Sequence, residues 1–135
     1  MTERKKILLI DDEKDFCFFV KNILEQTGDF YVSCATNPNK GIRIARQETP
    51  DLILLDVLMP KRDGFKTLEI LKENHKTIGI PVIMLTAVGG DEAKIKASGF
   101  YCDGYITKPV TFETLKTKID AVFELINGRK EMPQE

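Results

Sequence analysis

Tryptophan is missing from this chain of 135 residues, histidine occurs once and cysteine three times. The cysteines, Cys17, Cys34 and Cys102, are odd in number and match no zinc-ligand spacing even with His75 added, so a metal cluster of thiolates is not expected. They read as buried free thiols of a reducing compartment. Neither sign of charge is in excess. Twenty Lys and Arg stand against twenty-one Asp and Glu, a net charge of −1, which leaves no basic footprint for nucleic acid. No apolar run is long enough to span a membrane. The opening residues Met1 to Lys6 lack the apolar stretch of a secretory signal, and a cytoplasmic protein is expected. What is present suffices for one core, since 42% of the residues are hydrophobic in a chain of about one domain's length.

Short apolar runs alternate with helical periodicity five times. Lys6 to Ile10 is a continuous apolar run, the mark of a strand buried on both faces. Phe16, Phe19, Val20, Ile23 and Leu24 follow at helical spacing, with Gly28 predicted to end that helix. Phe30 to Ala35 reads as the second strand. Asn37-Pro38 supplies an N-cap and a first-turn proline for a helix running to about Glu48. Leu52 to Leu55 is the third strand, and a helix is predicted from about Phe65 to Asn74. Pro81 to Leu85 is the fourth strand, and Gly89-Gly90 precedes a weak helix around Asp91 to Ser98. Tyr105 to Thr107 is a short fifth strand. The last helix starts near Thr111, carries Phe112, Leu115, Ile119, Val122, Phe123 and Ile126 on one stripe, and is closed by Gly128. This order predicts an α/β fold with a parallel sheet covered on both faces. No repeat, low-complexity tract or second domain is legible.

In such a sheet ligands sit beyond the carboxyl ends of the strands, at the switch point of strand order. The ionisable residues fall there. Strand one ends in Asp11-Asp12-Glu13, strand three in Asp56, strand four in Thr86 and strand five in Lys108-Pro109, while strand two ends in Ala35-Thr36. Each has an ordinary reading: an aspartate after a strand is often an N-cap, Asp56 a turn residue, Thr86 a loop cap and Lys108 a surface charge. Two adjacent aspartates, however, cannot both cap one helix. If strands one and three are neighbours, three carboxylates converge and call for a cation. Hard oxygen donors with room for water suit Mg²⁺, or Mn²⁺ in its place. A lysine and a hydroxyl opposite them suit the oxygens of a phosphoryl group.

With these pieces in order, the sequence resembles the receiver domains of two-component response regulators. The resemblance rests on Asp11-Asp12-Glu13, Asp56, Met59-Pro60, Asp63-Gly64, Thr86-Ala87, Tyr105 and Lys108-Pro109, and covers about Lys6 to Asn127. It implies a doubly wound, flavodoxin-like sheet in the order 2-1-3-4-5 with five flanking helices. The receiver would span residues 1–128, with 129–135 as a polar tail or the start of a linker. It implies further that Asp56 accepts a phosphoryl group from a phosphohistidine on a sensor histidine kinase or a histidine phosphotransfer protein. Asp12, Asp56 and the Leu58 backbone carbonyl would bind the metal directly, and Asp11 through water. Lys108 would pair with a phosphoryl oxygen, Thr86 would swing onto another, and Tyr105 would turn inward with it. That motion would reshape the face made by the helix around Asp91 to Ser98, strand five and the last helix, and so control a downstream protein or effector domain. The Lys108-Pro109 bond is expected to be cis. No enzyme turnover, membrane contact or direct nucleic-acid contact is implied; a monomer or a phosphorylation-dependent dimer is.

The chain departs from the family in two places. The positions that tune the lifetime of the phosphorylated state are Leu58 and Val88, both apolar, which predicts a long-lived phosphoaspartate. Tyr101-Cys102 stands where the family has a small Gly-Ala pair, with Gly99 placed earlier, and Gly99 and the Gly89-Gly90 loop predict a short or mobile helix around Asp91 to Ser98. Phe18 lies off the apolar stripe of the first helix, near Asp15 and Asn22, and is a candidate partner contact. Rival readings fit less well. A haloacid-dehalogenase-type phosphatase needs a second aspartate where Leu58 stands. A flavodoxin-like binder needs a phosphate loop where Asp11-Asp12-Glu13 would repel the ligand. A phosphorylation-independent, receiver-like binding module would normally lack one of the five key residues.

Overall fold

The computed structural model describes residues 3–59, 63–87 and 102–131. Its elements are β1 (Lys5–Ile10), α1 (Lys14–Glu25), β2 (Phe30–Ala35), α2 (Pro38–Glu48), β3 (Leu52–Asp56), α3 (Gly64–Glu73), β4 (Val82–Thr86), β5 (Gly104–Thr107) and α4 (Phe112–Glu131). All strand pairs are parallel, in the order β2-β1-β3-β4-β5. The sheet is the doubly wound one expected from the sequence. Four helices lie among the described residues; the weak helix expected around Asp91 to Ser98 falls outside them.

The apolar strands are buried because each side of the pleat faces helices. Ile7, Leu9, Leu52, Leu54, Ile83 and Leu85 point to one face, where Cys17, Val20 and Leu24 of α1 and Leu115, Ile119 and Val122 of α4 cover them. Leu8, Ile10, Ile53, Leu55, Val82 and Met84 point to the other, under Ile42 and Ala45 of α2 and Leu68 and Leu71 of α3. The period of two along each strand thus divides one hydrophobic run between two cores.

Side-chain caps set the starts of α2 and α3. Asn37 Oδ1 accepts from Lys40 N at 2.8 Å, and Asp63 Oδ1 accepts from Lys66 N at 2.8 Å, each satisfying an unpaired first-turn donor. Three sequence expectations are corrected. Helix α1 ends at Glu25, and Gly28 (φ +81°) lies in the turn beyond it. Helix α4 runs through Gly128 to Glu131, because a single glycine costs a helix only about 1 kcal/mol. Phe19 and Phe112 are exposed rather than in the core, whereas Cys17 is buried as expected.

Candidate functional site

Because β1 and β3 are neighbours, Asp11, Asp12 and Asp56 meet beyond their carboxyl ends. One carboxylate oxygen from each lies within 4.8 Å of the others. Asp11 is fully buried and Asp56 nearly so, while Asp12 is half-buried. Lys108, carried in at the end of β5, closes the pocket. Its Nζ donates to Asp11 Oδ2 at 2.8 Å and lies 3.7 Å from Asp56 Oδ1 and 3.8 Å from Glu13 Oε1. The Lys108–Pro109 peptide bond is cis.

Backbone donors fix the two most buried acids. Glu13 N donates to Asp11 Oδ1 at 2.9 Å, and Leu58 N donates to Asp56 Oδ1 at 3.3 Å. Neither aspartate after β1 makes a side-chain cap on α1, whose N-cap is Glu13. Behind Asp56, Gly64 N donates to Val57 O at 2.7 Å, and a side chain on Gly64 would run into the Asp56 carbonyl and Val57 Cα. The Asp63-Gly64 pair is therefore required twice, once as a cap and once for close approach.

The charges do not balance. Burial, and after it the neighbouring Asp11, push the Asp56 carboxyl up to about 7, against the pull of Lys108 and the Leu58 N–H. Burial alone would lower Lys108, but the Asp11 hydrogen bond and the charges of Asp11, Asp56 and Glu13 outweigh it and hold the ammonium above its ordinary value. Among the described residues one cation, Lys108, thus faces the carboxylates of Asp11, Asp56 and Glu13, with Asp12 beside them. The donor set, hard and anionic throughout, fits a divalent cation such as Mg²⁺.

Thr86 ends β4 fully buried. Its hydroxyl lies 3.4 Å from Thr107 Oγ1, and its carbonyl accepts from Lys108 N at 2.7 Å. Tyr105 pairs in register with Met84 and packs half-buried against the α2–α3 core. Leu58, at 60% exposure, sits at the rim beside Asp56, and Phe18, at 70%, projects from α1. Val88 lies outside the described residues. The structure thus gathers Asp11, Asp12, Asp56 and Lys108, sets Thr86 one strand away, and leaves Tyr105 and Phe18 outside the pocket.

Three contacts carry signals that sequence reasoning left unused. Glu13 belongs to the acidic triplet, yet no role follows for it from sequence. Phe16 falls on the core stripe of α1, but its ring centre lies 4.4 Å from Lys108 Nζ as a cation–π partner. Thr107 was legible as the register partner of Thr86. Beside these, Glu13, Phe16, Phe19, Ala87, Lys108, Pro109 and Val110 line an open cleft of about 460 Å³.

A 2-1-3-4-5 parallel sheet with an acidic, lysine-closed pocket at its switch point defines a flavodoxin-like protein with a cation-seeking site. Residues 7–120 match the response regulator receiver domain family, and the chain belongs to it. The DNA-binding dual master transcriptional regulator RpaA of Synechocystis is 38% identical over 117 residues, 87% of this chain and 48% of that protein. The transcriptional regulatory protein CpxR of Escherichia coli K12 is 37% identical over 117 residues, with the same 87% and 48% coverage. The chain spans about half the length of these curated relatives. Among solved structures, chemotaxis protein CheY4 of Vibrio cholerae superposes with a TM-score of 0.79 at 28% identity, covering 89% of this chain and 99% of that one. A receiver domain protein from Clostridium thermocellum gives 0.81 at 31% identity, covering 91% and 97%. No helix among the described residues is long and apolar enough to cross a membrane.

Proposed function

We propose that this receiver domain accepts a phosphoryl group on Asp56 in a Mg²⁺-dependent reaction and uses the modified state to control a partner. The observation that carries this is Lys108, held by Asp11 at 2.8 Å and within 3.7 Å of Asp56, in a pocket with more carboxylates than cations. Asp12, Asp56 and the Leu58 carbonyl would hold the ion directly and Asp11 through water, with Mn²⁺ an effective substitute. When bound, the ion supplies positive charge that ionises Asp56 and neutralises phosphoryl oxygens.

An Asp56 carboxylate oxygen attacks phosphorus of a phosphohistidine. The P–O bond forms as the P–N bond breaks, and the imidazole leaves with a proton. The Lys108 ammonium, already beside Asp56, pairs with one oxygen of the transferred group. Thr86 gives up Thr107 and donates its hydroxyl to another, and Tyr105 follows into the space behind it. The modified face would then engage a downstream protein or an effector domain, with the chain a monomer or a phosphorylation-dependent dimer. A sensor histidine kinase or histidine phosphotransfer protein is the donor, and exposed Phe18 on α1 is its contact. Apolar Leu58, together with Val88, cannot orient an attacking water, which favours a slow loss of the phosphoryl group.

The test is intact mass after incubation with a small acyl phosphate. A gain of one phosphoryl group that requires both Mg²⁺ and Asp56, and is absent in Asp56→Asn, supports the proposal. No gain in folded protein, with a control receiver labelled alongside, would leave a phosphorylation-independent binding module.

A further inference from the structure

Cys17 and Cys34 are nucleophilic side chains that the proposed reaction does not use. Cys17, on α1, is 4% exposed, and its thiol donates to the Asp11 carbonyl oxygen at 3.3 Å. Cys34, on β2 beside Leu9, is half-buried against the same core, with its Sγ 3.7 Å from the Cys17 carbonyl oxygen. The Cys34 side chain thus lies against Cys17, and both belong to one core cluster. Cys102 stands apart, packed on the opposite face of the sheet. A partly exposed cysteine resting on a buried one, on two packed elements, allows oxidation of the first to be captured by the second.

We infer that Cys17 and Cys34 are a hydroperoxide-responsive pair that closes to an intrachain disulfide between α1 and β2. Cys34 is the attacking thiol because it reaches solvent. The adjoining Cys17 side chain and, after it, the Lys21 ammonium hold it below its ordinary value, against the opposing effect of burial. Its sulfur attacks the peroxide, the O–O bond breaks, sulfur is oxidised to a sulfenic acid and the peroxide is reduced to an alcohol, or to water from hydrogen peroxide. The Cys17 sulfur then displaces hydroxide from the Cys34 sulfur, and its own proton leaves with that hydroxide as water. Two thiols and one hydroperoxide give one disulfide, one alcohol and one water. Closure withdraws the Cys17 hydrogen from the Asp11 carbonyl, so the redox state reaches the residue that holds Lys108. This inference goes beyond phosphoryl transfer and stands whether or not Asp56 is modified.

The experiment treats the folded chain with a few equivalents of hydrogen peroxide, then denatures it, alkylates the remaining thiols and measures intact mass and linked peptides. The expected product has lost two hydrogens, is restored by dithiothreitol, links the Cys17 and Cys34 peptides and carries one alkyl group on Cys102. Cys102→Ser closes the same bond at the same rate. Cys34→Ser does not lose two hydrogens, and its consumption of peroxide falls by about tenfold. Cys17→Ala, which keeps the buried position apolar, stops at a sulfenic acid on Cys34 that a 1,3-dione traps. Oxidised wild type that only gains oxygen, that links through Cys102 or between chains, or that closes only after denaturation would overturn the inference.

Discussion

Replacing Asp56 by Asn is expected to stabilise the metal-free fold at neutral and alkaline pH. The Asp56 residue is 5% exposed, and its carboxyl moves from 3.8 to about 7 on folding, through burial first and the charge of Asp11 second. Below about pH 4 the carboxyl is protonated in both folded and unfolded chains and costs nothing. Between about pH 4 and pH 7 the folded chain binds more protons than the unfolded one, so stability falls as pH rises. Above that window the whole cost is present. At about 1.4 kcal/mol per pH unit the ceiling is about 4 kcal/mol. An asparagine keeps an oxygen for the Leu58 N–H but must still bury an amide, so the expected gain is about 2–3 kcal/mol near pH 8 and less than half of that near pH 5.

Urea unfolding in EDTA, followed by far-ultraviolet circular dichroism because the chain has no tryptophan, measures this directly. A variant no more stable than wild type at pH 8, or a gain equal at both pH values, would refute the reasoning. Mg²⁺ should narrow that gap. At ten times its dissociation constant the ion stabilises wild type by about 1.4 kcal/mol, and the carboxamide of the Asp56→Asn variant should forfeit most of that.

Lys108→Met removes the one cation on fully buried Asp11, and in EDTA it should cost about 3 kcal/mol, most of it recovered when Asp11→Asn is added; a loss near zero by urea titration would contradict the pairing. Gly64→Ala drives a methyl into the backbone of Asp56 and Val57 and should lower the unfolding free energy by about 2 kcal/mol, and Gly41→Ala, which meets the fully buried Ile10 side chain at 2.6 Å, should lose a comparable amount in the same titration. Phe18→Ala should slow transfer from a phosphohistidine donor by about tenfold while leaving labelling by a small acyl phosphate unchanged, as competing single-turnover assays would show. Leu58→Asn, adding a polar group beside Asp56, should speed loss of the phosphoryl group several-fold in a timed mass measurement.

The fold was legible because the strands are short apolar runs with no alternation, which only a sheet covered on both sides can bury. Helix starts were legible where a side chain does the capping, as at Asn37. Ends were less so, because a glycine marks where a helix can stop and tertiary contacts decide whether it does. Gly128 is passed over, and Gly28 lies beyond the end of α1. Phe19 was expected on the apolar stripe of α1 and is instead left at the rim, where it lines the cleft beside the loop after β5, a position that no helical period reveals. The convergence of Asp11, Asp12 and Asp56 followed from strand order alone. The four-way environment of Lys108 did not, since residues 13, 16, 56 and 108 meet only after β5 is placed beside β4.

That environment explains why a pocket this poorly neutralised can persist. Asp11 is the acid most fully withdrawn from water, and it takes the shortest contact with Lys108 and the Glu13 backbone donor, so its charge is satisfied within the fold. Asp56 receives one long backbone bond and a lysine at 3.7 Å, and meets its deficit by holding a proton more tightly. The deficit thus falls on a carboxylate beside the exposed rim residue Leu58, where an incoming cation can relieve it. An arrangement that satisfied Asp56 as fully as Asp11 would gain stability and lose the reason to bind an ion. The weak pairing of Asp56 is therefore what makes the pocket receptive, and the Asp56→Asn titration measures how large that deficit is.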